Sequence, residues 1–162
     1  MELVFDASTL ILLARTTLLR DVTEFTQVQI PTVVEQECLA KNSFDAALIK
    51  QLIQARRIAV QAEIGESGVK KLIEDFRIGN GEASAIWLAR TKELPLALDD
   101  GQAIKVCKAL GLQFVTAIHI LLILVSRGRL SKEIAAEKLK ALSHIGRYTK
   151  KIIEDAEQRL RE

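Results

Sequence analysis

A chain of 162 residues is long enough to bury a core of its own and short enough for one domain. Apolar residues make up 49% of it and aromatic residues only 4%, a largely aliphatic composition that suits buried strands lying between helices. A charged fraction of 27% excludes extended disorder, and a net charge of +2 is too small to identify a partner.

Leu3-Val4-Phe5 is a short apolar run ending at an acid and predicts a buried first strand, with an apolar helix beginning over Ser8 to Ala14. Gln27 to Ile30 alternates as a strand does. Pro31 then suits the first turn of a helix reaching about Lys41. Ser43 or Asp45 can cap the next helix, to about Arg56, and Ile58-Ala59-Val60 is a candidate strand. Val69, Leu72, Ile73 and Phe76 fall at helical spacing within Glu66 to Phe76. Gly79-Asn80-Gly81 interrupts that pattern before a helix from Glu82 to Arg90. Pro95 introduces a strand at Leu96-Ala97-Leu98, followed by Asp99-Asp100. A helix over Gly101 to Leu110 is closed by Gly111, and Gln113 to Val115 is the last short strand. From Ile118 onward the pattern is helical, with breaks at Gly128 and Gly146.

Short strands alternating with helices predict a parallel sheet covered on both faces. Residues 1–162 are expected to form one domain, with 118–162 as a helical C-terminal extension. Residues 127–162 hold ten Lys/Arg against six Asp/Glu, whereas residues 1–126 hold thirteen against fifteen. The basic tail suits phosphate contact through residues such as Arg147, Lys150 and Lys151, and equally suits a solvated helix face. Cys38 and Cys107 have neither metal-ligand spacing nor a disulfide pattern, which fits the reducing cytosol. The opening MELVFDAS lacks the basic start of a signal peptide. The most apolar run, Ala117 to Val125, falls short of the roughly 20 residues a membrane span needs.

Asp6 and Asp99 each follow a buried apolar strand, at the edge where open parallel sheets bind ligands. An acid placed there is costly unless solvated, paired or bound to a cation, although any one of them can simply cap the next helix. Glu35 and Glu37 lie inside the helix opened by Pro31, and Glu82 stands at a helix start where its charge favours the dipole. As a set, Asp6, one of Glu35 and Glu37, Glu82 and Asp99 make an all-oxygen donor group suited to Mg²⁺ or Mn²⁺ rather than zinc. Such a site orients water and stabilises charge on a phosphodiester. No Ser/His/Asp or Cys/His arrangement competes with it. His119 and His144 are read as structural or surface residues.

The order of these motifs resembles the PIN-domain family of metal-dependent ribonucleases. Val4-Phe-Asp-Ala-Ser resembles the family's opening strand, with Asp6 its first acid and Ser8 the accompanying hydroxyl. Ile30-Pro-Thr-Val-Val-Glu-Gln-Glu resembles the start of its second motif and points to Glu37 rather than Glu35. Gly79-Asn-Gly-Glu places Glu82 where most members carry Asp, and Leu96-Ala-Leu-Asp-Asp places Asp99 as the last acid with Asp100 beside it. The glycines, the paired acids and the helical tail are most similar to a prokaryotic subgroup. Two features depart from the pattern: Val115-Thr-Ala-Ile after the last strand, with Thr116 where toxin-type members often have Asn, and the long C-terminal extension.

The resemblance implies a three-layer α/β/α sandwich around about five parallel strands. It further implies an endoribonuclease using Mg²⁺ or Mn²⁺, often homodimeric and often restrained by an antitoxin as the toxin of a pair. Asp6 and Asp99 would bind the metal, Glu37 and Glu82 would complete the site directly or through water, and Ser8 and Asp100 would support them from behind. The competing reading is a non-catalytic nucleic-acid-binding or regulatory module on the same fold. An aspartyl-phosphate phosphatase would need a second Asp where Ser8 stands. A receiver domain would carry its acid pair after the first strand rather than a late one.

Overall fold

The computed structural model describes residues 1–62 and 65–162. Five parallel strands form one sheet: β1 (Glu2–Phe5), β2 (Gln27–Pro31), β3 (Ile58–Gln61), β4 (Leu96–Ala97) and β5 (Phe114–Val115). Their order across the sheet is β3-β2-β1-β4-β5. All five lie where the apolar runs predicted them. Leu3, Val4 and Phe5 are buried in succession, as a central strand covered on both faces requires. Val4 pairs with Leu96 and Phe5 with Ala97, which aligns the ends of β1 and β4.

Helices α1 (Ala7–Arg15) and α2 (Leu19–Phe25) link β1 to β2, and α3 (Thr32–Leu39) and α4 (Phe44–Gln54) link β2 to β3. Between β3 and β4 run α5 (Glu66–Phe76) and α6 (Asn80–Lys92), and α7 (Gly101–Leu110) precedes β5. The helices flank the sheet in a three-layer α/β/α sandwich. α6 packs across β1, β2 and β4 with Ala83, Ala85, Ile86, Leu88 and Ala89 buried.

Several boundaries differ from the sequence reading. α2 had no forecast. The glycine-rich stretch does not precede α6 but opens it, since Asn80 and Gly81 are already helical. Ser43, not Asp45, caps α4 by accepting from the Ala46 N–H. α3 ends at Leu39 rather than near Lys41. β4 is shorter than forecast, although the Leu98 N–H still donates to the Val115 carbonyl.

Helices α8 (Ala117–Ser126), α9 (Lys132–Ile145) and α10 (Lys150–Arg161) complete the chain. α8 packs on α1 and α2, and α9 and α10 pack on α8. Leu121, Leu124, Leu139, Leu142 and Leu160 carry the hydrophobic core without a break from the sandwich into these helices. Among the described residues, no helix is long and apolar enough to cross a membrane.

Candidate functional site

The chain moves from β1 to one side of the sheet through β2 and β3, then returns to the other side of β1 at β4. At such a reversal the connections leave neighbouring strands in opposite directions, and a crevice opens beyond their carboxyl ends. Asp6 is the first residue after β1 and Asp99 the second after β4, so both stand at that crevice.

Asp6 is only 3% exposed. One of its carboxylate oxygens accepts the Thr9 N–H at 2.9 Å, capping α1, and the other accepts the Ser8 hydroxyl at 2.8 Å. Burial nevertheless pushes its carboxyl up to about 7, with a smaller push from the charge of Asp99. The helix-capping role is therefore real but does not account for the placement. A cap on the surface would do the same work without desolvating the charge.

Asp99 is half-buried and held from three directions. The Thr9 hydroxyl donates to Oδ2 at 2.6 Å and the Tyr148 hydroxyl to Oδ1 at 2.5 Å. The Ala117 N–H, at the start of α8, lies 3.2 Å from both oxygens. Thr9, completely buried, thus touches both acids: its amide fixes Asp6 and its hydroxyl fixes Asp99.

Glu37 and Glu82 form a second pair. Glu37, on the exposed side of α3, lays its carboxylate against the backbone of Gly81, where a Cβ would collide with both carboxylate oxygens. Glu82, in the first turn of α6, folds its carboxylate back over Gly79. The Glu37 carboxyl is held above its ordinary range, first by partial burial and second by the charge of Glu82. Cys38 connects the pairs electrostatically: burial, then the charges of Glu37 and Asp6, push its thiol up to about 12.

The sequence expectation placed all four acids around one ion. The structure joins Asp6 with Asp99 and sets Glu37 beside Glu82. Among the described residues, no three His, Cys, Asp or Glu side chains come together as one ion's ligands. The donor chemistry itself, carboxylates with hydroxyls and no nitrogen or sulfur at the crevice, fits a hard dication. So does a buried carboxylate whose charge has no cationic side chain bonded to it among the described residues.

Ser8 is exposed and bonded to Asp6. Asp100 caps α7 by accepting the Ala103 N–H at 2.9 Å. Thr116 caps α8 by accepting from the His119 N–H. Lys150 and Lys151 open α10 on its exposed side, and Lys150 pairs with Glu154 at 3.8 Å. Sequence reasoning missed Thr9 and Tyr148. Thr9 looked like one more residue of an apolar helix, and no pattern announces that Tyr148, about 50 residues beyond Asp99, folds back onto it.

A family model described as a PIN domain matches residues 2–162. No curated protein matches. Among solved structures, the chain is similar to a crystal structure of VapBC2 from Rickettsia felis bound to a DNA fragment from their promoter. The likeness has a TM-score of 0.50 at 12% identity and covers 72% of this chain and 98% of that one, a likeness of fold.

Proposed function

This chain belongs to the PIN-domain family, and from that premise we propose that it is a Mg²⁺- or Mn²⁺-dependent endoribonuclease. Asp6 and Asp99 would hold the cation, and Glu37 and Glu82 would complete the site directly or through water. The observation that supports this best is the position of Asp6 and Asp99: two carboxylates at the reversal point of a parallel sheet, tied together by Thr9. When bound, the cation lowers the pKa of water and neutralises charge gathering on the phosphodiester.

The chain's own residues do the positioning. Thr9 sets the separation of Asp6 and Asp99, Ser8 orients the outer oxygen of Asp6, and Asp100 holds water beside them. Glu37 and Glu82 add negative charge on the flank toward α3 and α6. Residues 1–162 act as one unit, in the cytosol, as a homodimer restrained by an antitoxin.

The test is incubation of an RNA with the protein and Mn²⁺ beside an Asp6→Asn variant. Cleavage by the native chain and none by the variant is the expected result. Intact RNA in both cases, with RNA still bound, would establish a non-catalytic binding module instead. Equal cleavage by both would place the activity elsewhere.

A further inference from the structure

The corner between α9 and α10 folds back onto Asp99 from 49 residues further along the chain. Gly146 makes this possible, because a Cβ there would collide with the ring of Tyr148 and approach the Leu142 carbonyl to 3.0 Å. Without a side chain at Gly146 the Tyr148 ring folds back across the corner, and its hydroxyl meets Asp99 at 2.5 Å. It borders an open cavity of about 330 Å³ between the corner, α1 and the Asp99-Asp100 turn. Ile11, Leu12 and Ile145 supply apolar wall, and Arg15 and Arg147, both exposed, also line it. Neither arginine enters an ion pair among the described residues.

We propose that this cavity is a single-nucleotide subsite, in which Arg15 and Arg147 hold a phosphate of the RNA chain and the apolar wall takes the attached nucleoside. Guanidinium groups match phosphate oxygens in pairs. The volume lies at the lower end of small-ligand sites, which suits one nucleotide better than a stretch of duplex. Asp99 lines the same cavity, so a nucleotide seated there presents its neighbouring phosphodiester to the acids. Tyr148 is a positioning residue, serving as wall for the nucleotide and as donor to Asp99. The inference relies on the nuclease reading only for what lies next to the subsite.

The probe is uridine 5′-monophosphate, titrated in Mg²⁺ into the full chain and into an Arg15→Gln/Arg147→Gln variant, with uridine as the phosphate-free control. The native chain is expected to bind the nucleotide at least tenfold more tightly than the variant does. It should bind uridine no better than the variant. Both proteins should have the same melting temperature, since both arginines are exposed. Equal affinity of the two proteins for the nucleotide, or no binding by either, overturns the subsite. RNA cleavage by the native chain together with arginine-independent nucleotide binding would sink the subsite and leave the nuclease reading standing. Arginine-dependent binding without cleavage would do the reverse.

Discussion

Asp6 and Asp99 are short side chains anchored by five donor groups of Thr9, Ser8, Tyr148 and Ala117, the first acid buried and the second half-buried. Glu37 and Glu82 are longer, lie on helix surfaces, and rest against glycine backbone, with no side-chain hydrogen bond among the described residues. The first pair is preorganised and the second adjustable. On the proposed reading, a site that fixes one cation and admits a bulky polyanion gains from both, since anchored carboxylates set the position and less anchored ones adapt to what arrives.

The difference should appear most strongly in a comparison of Asp99→Asn with Glu82→Gln. Loss of Asp99 is expected to reduce RNA cleavage by about 1000-fold, on the several kcal/mol that a bound dication supplies. Loss of Glu82 is expected to cost about 10-fold, the scale of a group acting on the metal through an intermediary. Equal losses measured under single-turnover conditions would erase the distinction between the pairs.

Gly81→Ala is subtler. The nearest atoms to the new methyl group belong to the flexible end of Glu37, so the carboxylate swings aside. Alanine in place of a helical glycine adds up to about 1 kcal/mol of helix preference. Thermal denaturation should therefore show an unchanged or slightly higher melting temperature while cleavage falls several-fold. A drop in stability would mean that Glu37 is held as firmly as Asp6.

The smallest effect concerns the thiols. Both cysteines are buried, with Cys38 pushed up to about 12 and Cys107 up to about 11 from an ordinary value of 9.0. The folded chain therefore holds these protons more tightly than the unfolded one. Their contribution to stability is complete below about pH 9 and is lost as the pH rises through 11 and 12. Iodoacetamide at pH 8 should leave the native protein unlabelled and modify both thiols in denaturant. Because Glu37 lies beside Cys38, Glu37→Gln should bring the onset of Cys38 labelling to a slightly lower pH and leave Cys107 unchanged.

Much of this architecture is legible in the sequence because burial leaves a periodic trace. Leu3-Val4-Phe5 can only be a covered strand, and an acid directly after it draws notice for its desolvation cost. α2 left no such trace: it has seven residues, no side-chain cap at Leu18, and a start only three residues beyond α1. Whether Ser43 or Asp45 capped α4 was undecidable from residue type, since both are favoured N-cap residues and each could accept an amide two or three residues ahead of it. The grouping of the acids was equally hidden. Sequence order gives their number and chemistry, whereas their pairing depends on how α3 packs against α6 and on where Thr9 points. Tyr148 was out of reach for the same reason, being a contact between distant segments made possible by the missing side chain of Gly146.

On the proposed reading, the carboxylates at the sheet reversal hold a dication. Calorimetric titration of Mn²⁺ into the native chain and into Asp6→Asn tests it most directly, with circular dichroism to show that both are folded. Saturable binding by the native chain is expected, with at least a hundredfold weaker binding by the variant. Equal Mn²⁺ affinity in the two folded proteins would contradict it.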